Sequence, residues 1–245
     1  MNERKRQLLI VDDEPDTCAN LQDIFQDLGY DVDVAHSGTA ALELVRQKMY
    51  DVALLDLKMP GMNGLELYQR MRDISSGTVA IVVTAYASGH TARAVLDAGA
   101  WKIMSKPVDF AQLLPLVDEA IGQPLVLVVD DDHDLCRSLW DVLRDRGYRV
   151  CVAHDVEGAK QKLSHGGHRV VLIDMKLPEG DGAQVLEFVR KVNPEARTVL
   201  ITGYRNEMES LLSDLSGHAD AICYKPFDVP ALIQTVKELV GAKTT

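Results

Sequence analysis

The chain has 245 residues, with 26 Lys+Arg against 37 Asp+Glu and a formal net charge of −11 at pH 7. Residues 1–122 hold 11 basic against 18 acidic side chains and the remainder 15 against 19, so neither half offers the basic face of a nucleic-acid binder, and no direct DNA binding is expected. No apolar run is long enough for a signal peptide or a membrane span, and the cysteines Cys18, Cys136, Cys151 and Cys223 lack metal-type spacing; a reduced, cytoplasmic setting fits them best.

From the N-terminus, Gln7 to Val11 reads as a strand, Asp16 to Leu28 as a helix, Val32 to Ala35 as a strand and Thr39 to Lys48 as a helix. The alternation continues through Val52 to Leu55, Gly64 to Ile74, Val79 to Val83, Gly89 to Ala98, Lys102 to Met104 and Phe110 to Ile121. The strands are short, almost wholly apolar runs. The helices bury one face: Leu21, Ile24, Phe25 and Leu28 recur at i, i+3, i+4 and i+7. After Gly122-Gln123-Pro124 the pattern begins again. Leu9-Ile10-Val11-Asp12-Asp13 returns as Leu127-Val128-Val129-Asp130-Asp131, and Asp56-Leu57-Lys58-Met59-Pro60 as Asp174-Met175-Lys176-Leu177-Pro178. Gly29 to His36 likewise returns as Gly147 to His154, and the second copy carries one extra residue between Thr202 and Lys225.

An internal repeat of this length implies two domains, 1–122 and 123–245, each able to bury its own core. Gln123-Pro124 makes a short joint rather than a flexible tether. Five βα units with apolar strands imply an α/β fold, a doubly wound parallel sheet covered on both faces by helices. Such sheets place functional groups beyond the carboxyl ends of their strands. Asp12-Asp13 ends the first strand, Asp56 the third and Thr84 the fourth, and Lys106 follows the fifth; Asp130-Asp131, Asp174, Thr202 and Lys225 repeat the set.

Carboxylates gathered at one edge repel one another, so some must be protonated or a cation must share them. An all-oxygen ligand set with few protein donors favours Mg²⁺, which also accepts phosphate oxygens. The pattern therefore suits transfer of a phosphoryl group onto Asp56 or Asp174, with Lys106 or Lys225 neutralising charge and the Thr84 or Thr202 hydroxyl donating to a phosphoryl oxygen.

On these residues each half resembles a receiver domain of bacterial two-component signalling, and the two resemblances together span nearly the whole chain. The resemblance implies two flavodoxin-like (βα)5 domains and phosphoacceptors at Asp56 and Asp174, loaded from the histidine of a sensor kinase or a histidine phosphotransfer protein. It implies Mg²⁺ held by Asp12, Asp13 and Asp56, and by Asp130, Asp131 and Asp174, with the main-chain carbonyls of Lys58 and Lys176 as further ligands. It makes Thr84 and Thr202 switch hydroxyls and Lys106 and Lys225 the phosphate-contacting lysines. Pro60 with Gly64, and Pro178 with Gly182, match the loop after the acceptor, and Lys106-Pro107 and Lys225-Pro226 match a step that is often cis in the family. The chain departs from the family at Ile103 and Ile222, where an aromatic residue often stands three positions before the lysine.

Other features read more plainly. His36 and His154 are loop residues carried by the duplication, His165 and His168 lie in a Gly-rich turn without zinc spacing, and Cys18 and Cys136 are small packing residues on the first helix of each half. The leading functional expectation is a tandem receiver, not an enzyme, that signals by docking an output protein or by homodimerisation, since the given chain stops at Thr245 with no output segment. A second expectation is an adaptor in which one receiver is phosphorylated. A third is a Mg²⁺-dependent phosphatase with an Asp nucleophile, which needs an acid two residues after that nucleophile; Lys58 and Lys176 stand there instead.

Overall fold

The computed structural model describes residues 5–85, 89–178, 180–203 and 219–241. The first half runs β1 (Gln7–Val11), α1 (Pro15–Asp27), β2 (Asp31–Ala35), α2 (Gly38–Gln47), β3 (Val52–Leu55), α3 (Gly64–Ile74), β4 (Val79–Thr84), α4 (Gly89–Asp97), β5 (Lys102–Ser105) and α5 (Phe110–Gly122). The second runs β6 (Leu125–Val129), α6 (His133–Arg144), β7 (Arg149–Ala153), α7 (Val156–Ser164), β8 (His168–Asp174), β9 (Lys176–Leu177), β10 (Gly180–Asp181), α8 (Gly182–Val192), β11 (Arg197–Thr202), β12 (Ala221–Tyr224) and α9 (Val229–Gly241). The chain divides into compact units Met1–Gln123 and Pro124–Thr245. The helix expected between β11 and β12 falls on residues outside those described.

Each half builds an all-parallel five-stranded sheet, in the order β2-β1-β3-β4-β5 and, correspondingly, β7-β6-β8-β11-β12. This is the doubly wound α/β architecture that the apolar strands imply. Successive residues of a strand point to opposite faces, and both faces are buried: Leu9 and Val11 of β1 join one apolar cluster with Leu67 and Met71 of α3, while Leu8 and Ile10 join another with Phe25 of α1 and Val117 of α5. Val126 and Val128 of β6 pack with Leu139 of α6 and Val236 of α9 in the same manner. Helix starts are set by side-chain caps, with Ser37 accepting from the Ala40 amide, Asn63 from Glu66 and Asp155 from Gly158.

The boundaries differ from the sequence reading by about one residue. Pro15, not Asp16, opens α1, because proline lacks the amide that a first helical position leaves unused. His168 is the first residue of β8 and buried, not part of a turn. The two-residue hairpin of β9 and β10, between Asp174 and α8, has no counterpart in the expectation.

Candidate functional site

Strand register gathers the polar set. Val11 lies opposite Leu55, so Asp12 and Asp56, the next residue on each chain segment, leave the sheet side by side. Thr84 ends β4 opposite Ser105, the residue before Lys106. In the second half Val129 lies opposite Ile173, Asp174 opposite Ile201, and Thr202 opposite Tyr224, the residue before Lys225. All ten polar residues expected at the two sites thus stand at the carboxyl edge of their own sheet.

One ammonium bridges two carboxylates at each site. Lys106 Nζ is 2.7 Å from Asp12 Oδ2 and 2.8 Å from Asp56 Oδ2. Lys225 Nζ is 2.8 Å from Asp130 Oδ2 and 2.6 Å from Asp174 Oδ2. Burial alone would lower the affinity of these lysines for their protons, but the hydrogen bonds to both carboxylates outweigh it and hold each above the ordinary lysine value. The other carboxylate oxygen of Asp56 and of Asp174 is also engaged: Lys58 N–H donates to Asp56 Oδ1 at 3.2 Å and Lys176 N–H to Asp174 Oδ1 at 3.0 Å. Thr84 and Thr202 are buried, and Asp13 and Asp131 are exposed at the mouth.

The donor chemistry fits a hard divalent cation. Carboxylate oxygens of Asp12, Asp13 and Asp56 lie within 4.8 Å of one another, as do those of Asp130, Asp131 and Asp174. Oxygens on one Mg²⁺ stand about 2.1 Å from it, hence up to roughly 4.2 Å apart, so each trio needs only a small inward adjustment. Burial holds the Asp130 carboxyl above the ordinary carboxylate range, while the Lys225 hydrogen bond and the Asp132 amide pull it back.

The backbone behind Asp56 and Asp174 explains a glycine in each half. A Cβ on Gly64 would overlap the carbonyl oxygen of Asp56, and one on Gly182 that of Asp174. Only glycine lets α3 and α8 begin this close to Asp56 and Asp174. Lys106-Pro107 and Lys225-Pro226 are both cis. Ile103 is half-buried against the first core cluster and Ile222 is half-buried, so neither site has an aromatic ring at that position.

Sequence reasoning underrated four residues. Cys18 and Cys136 do pack in the core, but each also directs its S–H at the carbonyl of the first acidic residue, Asp12 or Asp130, at 3.3 Å. His36 and His154 place Nδ1 against the same carbonyls, at 3.2 and 3.0 Å. Their identity at matching positions of the repeat was the available signal. Burial, reinforced by the neighbouring Asp carboxylates, pushes the Cys18 thiol up to about 11 and the Cys136 thiol up to about 12. The fold therefore binds these two protons more tightly than the unfolded chain, and this contribution to stability declines as pH rises above the ordinary thiol value of about 8.5. Native alkylation at pH 8 is expected to modify Cys223 and spare Cys18 and Cys136, with all four reacting in denaturant. Rapid native alkylation of Cys18 or Cys136 would contradict that placement.

A family model described as response regulator receiver domain matches residues 8–118 and 126–237. A response regulator receiver protein of Anaeromyxobacter sp. (strain Fw109-5) is 32% identical over 234 residues, which cover 96% of this chain and 95% of that protein. The transcriptional regulatory protein ZraR of Klebsiella oxytoca is 36% identical over 115 residues, 47% of this chain and 26% of its own, so the match spans about a quarter of ZraR. A crystal structure of a receiver domain protein (CheY-like) from Methanospirillum hungatei JF-1 aligns with a TM-score of 0.47 at 31% identity, over 48% of this chain and 94% of that one.

Proposed function

The chain belongs to the response regulator receiver family, and from that premise we propose that residues 1–122 and 123–245 are two receivers whose acceptors, Asp56 and Asp174, each take a phosphoryl group from a phosphohistidine. The observation that carries this reading is the repeated bridge, one lysine ammonium within 2.8 Å of both the acceptor and the first acidic residue. Phosphorylation-dependent signalling follows from the family; the acceptor, donor and output are specific to the proposal.

Asp12, Asp13 and Asp56, with the Lys58 carbonyl, would hold Mg²⁺ in the first receiver, and Asp130, Asp131 and Asp174, with the Lys176 carbonyl, would hold it in the second. When bound, Mg²⁺ neutralises charge on the transferring group and its oxygens. The acceptor carboxylate forms a new O–P bond as the N–P bond to the donor imidazole breaks, and the imidazole nitrogen retains the electron pair and takes up a proton. Lys106 or Lys225, already paired with the acceptor, follows the negative charge onto the phosphoryl oxygens. That movement breaks its tie to Asp12 or Asp130. Thr84 or Thr202, at the neighbouring strand end, donates its hydroxyl to a phosphoryl oxygen. A doubly charged group with strong acceptors therefore rearranges the sheet edge from which β4–α4 and β11 continue. With isoleucine at 103 and 222, the rearrangement reaches the surface without a swinging aromatic ring.

The output is an unidentified docking protein or a second copy of the chain. No helix among the described residues is long and apolar enough to cross a membrane. Lys58 and Lys176, both exposed, stand two residues after Asp56 and Asp174, where a phosphatase of the Asp-nucleophile type needs a general acid. A small acyl phosphate with Mg²⁺ is expected to give a burst that stops at up to two phosphoryl groups per chain. Sustained turnover of a small phosphomonoester would replace this reading with the phosphatase.

A further inference from the structure

We propose that His154 is a positioning residue for the second receiver's acidic pair, locked in place by His133, and that it sets the Mg²⁺ affinity of that site; the inference rests on the metal-assisted acceptor reading above. The carbonyl in question belongs to the peptide joining Asp130 to Asp131. It receives Cys136 Sγ–H at 3.3 Å and His154 Nδ1 at 3.0 Å. A carbonyl can only accept, so Nδ1 carries the proton and the ring is held in one tautomer. The Asp130 amide donates to Ala153 O at 3.1 Å, and Asp130 Oδ1 accepts from the Asp132 amide at 2.9 Å. Every one of these ties orients the acidic loop, and among the described residues the two donors to the carbonyl act directly on the peptide from which exposed Asp131 projects. A thiol is a weak donor, which leaves His154 as the stronger hold.

The first half carries the same arrangement with one difference. The Asp12 carbonyl is met by His36 Nδ1 at 3.2 Å and receives the Cys18 Sγ–H at 3.3 Å. His36 is exposed, whereas His154 is half-buried beneath a second imidazole: the His133 and His154 ring centroids are 3.7 Å apart at 33°. Pro15 stands where His133 stands in the repeat. The stack covers the His154 ring and limits its rotation, so less orientational freedom is left to lose when the acidic pair closes on a cation. The two metal sites are therefore unequal in their dependence on an imidazole, although their carboxylates match.

The test is a calorimetric Mg²⁺ titration of the full chain carrying Asp12→Asn and Asp13→Asn, so that the second site alone binds. Partners that orient metal ligands are typically worth 10–100-fold in affinity. His154→Ala is expected to weaken Mg²⁺ binding by roughly 10-fold, with His133→Ala giving a smaller loss. His154→Asn should recover much of it, because the Asn amide nitrogen is attached to Cγ as Nδ1 is. Phosphoryl uptake by His154→Ala should return at saturating Mg²⁺, and its metal-free melting temperature should stay near that of the parent. Unchanged affinity in His154→Ala overturns the inference while leaving the acceptor reading standing. So does a loss that tracks melting temperature and resists the Asn replacement. A parent that binds no Mg²⁺ overturns both.

Discussion

Asp56→Asn is expected to halve the phosphoryl uptake of the chain from a small acyl phosphate, Asp174→Asn to remove the other half, and the two together to abolish it. The replacement keeps the shape of the side chain. Asn can still accept the Lys58 or Lys176 amide that now reaches Oδ1 at 3.2 or 3.0 Å, but it has no anionic oxygen to form the O–P bond. Loss of the attacking atom removes the reaction rather than slowing it. The effect is also local, because the two acceptors sit in separate sheets with separate lysines. Uptake is read as phosphate per chain with each variant at saturating Mg²⁺. If one single variant already abolished all uptake, the adaptor reading, with one working receiver, would take over.

Lys225→Met is expected to destabilise the second half in metal-free buffer by about 2–3 kcal/mol and to be corrected by Mg²⁺. Removing one partner of a buried ion pair costs roughly 3–5 kcal/mol, because the other charge is stranded. Here the stranded side chains are Asp130, 0% exposed, and Asp174, 7% exposed, while Lys225 itself is 29% exposed and so holds less of that energy. A cation that binds the folded site alone stabilises by about 2.7 kcal/mol at a concentration 100 times its dissociation constant. Mg²⁺ should therefore restore most of the loss. Urea unfolding of a Trp101→Phe chain, in which Trp140 of α6 reports the second half, measures both values with chelator and with Mg²⁺. A loss that Mg²⁺ leaves untouched would mean that Asp130 and Asp174 do not share a cation. The same variant separates two roles of the lysine: at saturating Mg²⁺ it is folded, and any remaining defect in uptake belongs to charge neutralisation on the phosphoryl group.

The sheet and its active edge were legible because they depend on local pattern. Apolar runs such as Leu125–Val129, with helical periods between them, leave few alternatives to parallel strands, and strand ends then locate Asp12, Asp56, Thr84 and Lys106 without any knowledge of contacts. What the pattern could not supply was the partner of each polar atom. The hold of His36 on the Asp12 carbonyl spans 24 residues of chain, and nothing in the composition of that loop distinguishes a held imidazole from a solvated one. The stacking of His133 on His154 joins the start of α6 to the end of β7, a meeting that only the folded backbone creates. The hairpin after the second acceptor follows from a difference in loop content. Lys176-Leu177 pairs antiparallel with Gly180-Asp181, and Gly180 is packed so tightly on Val156 that a side chain there would strike it. The first copy has Gly61-Met62-Asn63 in the corresponding stretch, with Gly61 at φ +80° and Asn63 capping α3. Similar motifs thus end in differently braced loops, one step beyond what matching residues reveal.

The proposal that both halves are working acceptors stands or falls on the intact mass of the wild-type chain and of the Asp56→Asn, Asp174→Asn double variant after incubation with a small acyl phosphate and Mg²⁺. The account predicts wild-type species carrying one and two phosphoryl groups, both lost on mild base treatment as acyl phosphates are, and an unmodified double variant. Phosphoryl groups that persist on the double variant, or a wild-type chain that takes none, would contradict it.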